Sequence, residues 1–145
     1  MRTALSLLVA LLCLAAPPAF AQSKGIVIED AWVRNYLGVV TVYFHILNNG
    51  EQLDRLLEVS TPVADKATLT RTRIRSGKYT YQPIDSLEVG GFDDPRLRPG
   101  GIHVRLTGVK RDLAVGEAVP LTLRFERSGT IEVTARVSNQ LLGNR

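Results

Sequence analysis

The sequence predicts an all-β domain, an antiparallel β-sandwich or Greek-key barrel. Three observations lead there. Short runs rich in Val, Ile, Leu, Thr, Phe and Tyr recur between residues 26 and 137, with apolar side chains at alternate positions. Turn-forming residues separate the runs: Asn48-Asn49-Gly50, Thr61-Pro62, Ser76-Gly77, Gly90-Gly91, Pro99-Gly100 and Ser128-Gly129. No apolar stripe of helical period is sustained beyond residue 21.

A leader precedes the domain. Met1-Arg2 is a short positive start, Leu5 to Ala16 is an apolar run, and Pro17-Pro18 breaks it. Ala19-Phe20-Ala21 is a small-x-small cleavage site before Gln22. Residues 1–21 therefore read as a secretory signal peptide and 22–145 as one domain, periplasmic or secreted. The apolar run falls short of the ~20 residues a spanning helix needs, so no transmembrane segment is expected after signal removal. Cys13 follows Leu12, where a lipoprotein signal wants a small residue. It is the only Cys, Met1 is the only Met, and both leave with the leader. The mature domain then has no disulfide, thiolate or thioether, and its length suffices to bury a core without cross-links. Of 18 Lys and Arg, Arg2 is also lost, leaving 17 against 14 acids. So mild an excess is a solvated surface rather than a nucleic-acid footprint, and export excludes that partner class.

The strands follow in order. Ile26-Val27-Ile28 runs into Asp30 to Arg34. Val39 to Leu47 places Val40, Val42, Phe44 and Ile46 on one face. Leu53 to Val59 ends at Thr61-Pro62. Ala67 to Ile74 puts Thr68, Thr70 and Thr72 on one face and Leu69, Arg71 and Arg73 on the other. Ser76-Gly77-Lys78 turns the chain into Tyr79-Thr80-Tyr81, and Leu87-Glu88-Val89 follows. Pro99-Gly100 suits the centre of a type II turn, with Pro second and Gly third. It opens Ile102 to Thr107, where Ile102, Val104 and Leu106 oppose His103, Arg105 and Thr107. Val119 to Glu126 turns Val119, Leu121, Leu123 and Phe125 inward. Thr130 to Val137 does the same with Ile131, Val133, Ala135 and Val137, and residues 139–145 form a tail.

Enzymatic constellations are missing from this sequence. No serine sits in a Gly-x-Ser-x-Gly elbow, and no Gly-rich loop carries a phosphate-binding Lys. Asp93-Asp94 precedes Pro95 in a Gly/Pro-rich loop, where adjacent carboxylates are solvated turn formers. The domain is not expected to be an enzyme. His45 reads as a cross-strand partner on the face opposite Val42 and Phe44, and His103 begins its strand two residues before Arg105.

Three groups of residues carry a resemblance. They are Ile28-Glu29-Asp30-Ala31-Trp32-Val33-Arg34 with Val42-Tyr43-Phe44, then Asp54 to Ala64, then Leu97-Arg98-Pro99-Gly100-Gly101-Ile102-His103-Val104. Together with Val119 to Glu126, the chain over residues 26–137 resembles the periplasmic copper chaperones called PCu(A)C. The resemblance implies a cupredoxin-like sandwich, copper(I) as cargo, delivery to the copper centre of a terminal oxidase, and oxidase-assembly proteins of the periplasm as partners. It also implies a ligand set, a His or Met, a Met, a His and a Met, spaced by ten, twenty-one and one residues. In this sequence that spacing falls on Thr70, Tyr81, His103 and Arg105. Only His103 is of ligand type, and it is the candidate metal residue. Thr and Tyr oxygens are poor donors to a soft ion, and Arg cannot ligate. Its fixed charge ~4 Å from a cation would cost about 4 kcal/mol at a surface-like dielectric. The expectation is weak or no autonomous copper binding. The alternative is a metal-free binding module on the same fold, contacting a protein partner or an anion through His103, Arg105 and Tyr81.

Overall fold

The computed structural model describes residues 25–139, so the signal-peptide reading of residues 1–21 and most of the tail lie outside the described residues. Nine strands follow in order: β1 (Ile26–Tyr36), β2 (Val39–Asn48), β3 (Asp54–Ser60), β4 (Ala64–Arg75), β5 (Lys78–Pro83), β6 (Leu87–Val89), β7 (Ile102–Val109), β8 (Ala118–Phe125) and β9 (Gly129–Val137). They hydrogen-bond in the order β5-β4-β7-β2-β1-β9-β8-β3-β6. The described residues hold no helix, which confirms the all-β expectation.

The turns explain the boundaries. Ser76 and Gly77 have φ of 48° and 73°, so Arg75 pairs directly with Lys78 across a two-residue hairpin. Leu37 and Gly38, at 50° and 78°, join Tyr36 to Val39 in the same way. The second hairpin is not evident from composition, because a leucine at positive φ is unfavourable and rare. At Asn48 the side chain becomes part of the backbone network. Its amide donates to the carbonyls of Gln52 and Gly90, each at 2.8 Å, and its oxygen accepts the Gly50 N–H at 3.0 Å.

Burial follows the alternation. Val40, Val42, Phe44 and Ile46 of β2, Val104 and Leu106 of β7, and Val119, Leu121, Leu123 and Phe125 of β8 are all buried. They form one core with Leu56 and Val59 of β3, drawing on both halves of the nine-strand ladder, which therefore closes as a sandwich. Each such side chain stabilises the fold by roughly 1.5–3 kcal/mol. In β9, Ala135 and Val137 are buried, while Ile131 and Val133 are only half covered near the open end.

Two features depart from simple alternation. Every pairing is antiparallel except β1 with β9, which run parallel through Trp32–Arg136 and Val33–Val137. The register of β1 against β2 also slips between Glu29 and Trp32, where Asp30 has φ 49°. Such a bulge re-aims the strand. It brings Trp32, Arg34 and Tyr36 onto the same outer face as Tyr43 and Thr41.

Candidate functional site

The outer face of β5-β4-β7-β2-β1 is ordered by register. Arg34 of β1 pairs with Thr41 of β2, and Thr41 pairs with Arg105 of β7. These three side chains form one row, with the two arginine Cα atoms about 10 Å apart, two strand spacings. The neighbouring row runs through Trp32 and Tyr43 to His103 and Thr70. Tyr81 of β5 lies opposite Thr72 of β4. Above these rows lies a cleft of about 480 Å³, which has Pro99 and Gly100 on its wall.

The Pro99-Gly100 wall is the predicted turn. Gly100 has φ 78°, Gly101 N–H donates to the Arg98 carbonyl at 3.0 Å, and Arg98 N–H donates to the Ile102 carbonyl at 2.9 Å. A type II turn needs a residue without Cβ strain at its third position, and glycine supplies it. The turn delivers His103 to the cleft floor.

His103 is only 5% exposed. The Tyr81 ring meets it edge-on with centroids 6.0 Å apart, and Tyr43 lies 6.3 Å away on the other side. Tyr43 is itself stacked against Trp32, with centroids 4.5 Å apart. The His103 Nδ1 atom is 3.3 Å from the Gly101 carbonyl, so a proton on Nδ1 makes a hydrogen bond there and leaves Nε2 with the lone pair. Burial pushes the His103 pKa below its ordinary value; the Gly101 contact opposes this and the Arg105 charge adds to it. The net shift favours the neutral imidazole.

The predicted site residues are brought together in part. Thr70 lies directly opposite His103 in the β4–β7 ladder, and Arg105 lies on the same strand face, its guanidinium carbon 6.0 Å from the centre of the Tyr81 ring. The copper-family spacing thus converges on one corner. Thr70, however, turns its hydroxyl to the Thr68 carbonyl at 3.1 Å, and it is Thr72 that lines the cleft. Arg71 and Arg73 lie on the opposite face as expected, Arg73 donating to Gln82 at 3.0 Å. His45 stands outside the cleft, between Glu29 at 3.9 Å and Asp94 at 3.6 Å, so the loop carboxylate Asp94 does have a neighbour.

Sequence reasoning missed half of the site. All four tyrosines of the chain, Tyr36, Tyr43, Tyr79 and Tyr81, line this one cleft, together with Arg34. For Tyr36 and Tyr43 the signal available was parity, since each alternates with core residues of its own strand, Val33 on β1 and Val42 and Phe44 on β2; β5, which carries Tyr79 and Tyr81, is exposed throughout and gives no such signal. No Asp or Glu lines it, and neither Arg34 nor Arg105 has an ion-pair partner among the described residues.

The sequence profile of the LpqE-like family, described as "Putative lipoprotein LpqE-like", matches residues 26–137. The chain belongs to the LpqE-like family, a PCuAC-type family. A relative from Leifsonia xyli subsp. xyli, "Putative lipoprotein Lxx21020", is 28% identical over 124 residues, spanning 81% of this chain and 72% of the relative. Among solved structures, the copper-bound PCuAC domain from PmoF2 superposes with a TM-score of 0.68 at 24% identity, covering 80% of this chain and 94% of that domain. The copper(I) form of DR1885 from Deinococcus radiodurans gives 0.66 at 27% identity, covering 87% of each chain. The cupredoxin-like sandwich is therefore the fold of this LpqE-like chain.

The corner on which the copper-family spacing falls carries no thiolate or thioether in this LpqE-like chain. One imidazole is present, the Thr70 hydroxyl is committed to backbone, and Arg105 brings a fixed cation. Among the described residues no group of three or more His, Cys, Asp or Glu could hold a metal ion.

Proposed function

We propose that this domain is an extracytoplasmic, non-enzymatic binding module on the copper-chaperone fold that does not carry copper(I) by itself. The leader and the lipoprotein description of the family support the location. The observation that carries the reading is Arg105. It stands on the strand face of His103, in a ligand's place, with its charge facing the same aromatic cleft. The test is titration of the purified chain with copper(I) against a competing chelator. The wild type is expected to lose the competition, and Thr70→His/Tyr81→Met/Arg105→Met to win it, with affinity higher by several orders of magnitude. Tight stoichiometric binding by the wild type overturns the reading.

A second reading is favoured by the convergence of Thr70, Tyr81, His103 and Arg105 on one corner. On it, His103 is one copper(I) ligand and a periplasmic oxidase-assembly protein supplies the others, on the way to a terminal oxidase. Copper(I) retained only by a mixture of the chain with such a partner, and lost in His103→Ala, selects this reading.

A further inference from the structure

We infer that the cleft is a receptor for a small organic oxyanion, a carboxylate or phosphate attached to a flat or apolar body; this rests on the metal-free reading of the same corner. The Arg34–Thr41–Arg105 row sets two guanidinium groups on either side of a hydroxyl. Guanidinium groups bind carboxylate and phosphate oxygens in pairs, and this geometry lets both reach one anion centred over Thr41. Arg34 stacks its guanidinium 4.8 Å from the centre of the Tyr36 ring, and Arg105 leans on Tyr81. Each cation is thus held by an aromatic face rather than by a carboxylate, and remains available to an external anion. Thr41 donates to the Tyr43 hydroxyl at 2.9 Å, which leaves the Tyr43 O–H free to donate to a further partner.

The body of the ligand follows from the rest of the wall. A cleft of about 480 Å³ is far larger than an inorganic ion and falls in the range of small-molecule sites. Tyrosine rings offer flat, rigid contact surface, and the residues Tyr79 and Tyr81 are 63% and 56% exposed. At the rim, Leu37 is 86% exposed in the left-handed region at φ 50°. A strained, solvent-facing leucine is a cost to the free protein that an apolar ligand body would offset. Two arginines without an ion-pair partner among the described residues, in a cleft whose lining holds no carboxylate, point the same way.

The sole tryptophan, Trp32, stacks on Tyr43 and so reports on the cleft. The experiment titrates the purified chain with phenyl phosphate, benzoate, inorganic phosphate and phenol, following Trp32 emission and heat. Phenyl phosphate or benzoate is expected to bind saturably, at least about tenfold more tightly than inorganic phosphate or phenol. Which of the two binds better identifies the head group. Arg34→Gln and Arg105→Gln are each expected to weaken that binding about tenfold or more, while Arg124→Gln, on β8, leaves it unchanged. The inference is overturned if phenol binds as well as the anions, if all three arginine variants behave alike, or if neither organic anion saturates. Where neither copper(I) nor an organic anion binds, this inference fails and the metal-free reading survives. Where copper(I) binds tightly and the anions do not, both fail.

Discussion

The two ends of the ladder solve the same problem in opposite ways. On β3, β6 and β8, cations stand beside anions. Arg55 meets Glu88 at 2.9 Å and Glu126 at 3.4 Å, and Arg124 meets Glu58 at 3.0 Å. The buried Asp54 carboxylate accepts the backbone N–H groups of Arg55, Arg127 and Ser128 at 2.8, 2.9 and 3.0 Å. On β1, β2, β7 and β5, the cations Arg34 and Arg105 stand among tyrosines, threonines and a histidine, with no carboxylate in the cleft lining. A polar group whose partners are all within the chain serves the fold. A set of cations without carboxylates leaves room for something from outside.

That contrast can be broken most forcefully at Asp54. Asp54→Ala strands three N–H donors, and chemical denaturation should show a loss of about 3 kcal/mol. Arg34→Ala should stay within about 0.5 kcal/mol of the wild type, because only an exposed stacking contact with Tyr36 is lost and no ion pair. A large loss at Arg34 would make the cleft structural too. The Asp54 contribution also has a pH signature. Burial raises its pKa, but the hydrogen bonds from Ser128, Arg127 and Arg55 outweigh burial and hold it below 3.8. The stabilisation is therefore present above pH 3.8 and is lost as pH falls through the lower folded-state value.

The effect at His103 is smaller and has the opposite cause. Its folded-state pKa lies below 6.5, so the unfolded chain takes the proton first as pH falls. Stability is unaffected by His103 above about pH 7 and declines as pH drops through 6.5, levelling off below the folded-state value. His103→Gln should flatten that part of the stability–pH curve measured between pH 7.5 and 5. An unchanged slope would mean that the cleft already accommodates the imidazolium. The smallest effect belongs to the exposed ion pair Arg124–Glu58. Arg124→Gln should shift the denaturation midpoint barely at all, and by even less at 1 M salt, where the Debye length is about 3 Å. A salt-resistant loss there would show that this face, too, has more than a solvated ladder.

Much of the fold was legible in the sequence because strand alternation writes burial directly into the order of side chains. Val40, Val42, Phe44 and Ile46 are the clearest case, together with Val119 to Phe125. The parallel contact of β1 with β9 was not legible, since strand direction depends on partners far apart in the chain. The site was legible only where a resemblance supplied spacing: His103, Tyr81, Arg105 and Thr70. Arg34, Tyr36 and Tyr43 escaped because nothing local says that β1 and β2 lie beside β7. The Leu37-Gly38 hairpin escaped because leucine disfavours the conformation it adopts there.

By itself, the sequence determined the all-β class, the inward faces and the Pro99-Gly100 turn. Each of these is a property of residue type and near neighbours. Tertiary structure alone decided that every tyrosine and two unpaired arginines share one cleft with His103. Register across β1, β2, β7, β4 and β5 sets that meeting, and register is a long-range outcome of packing one face into the core.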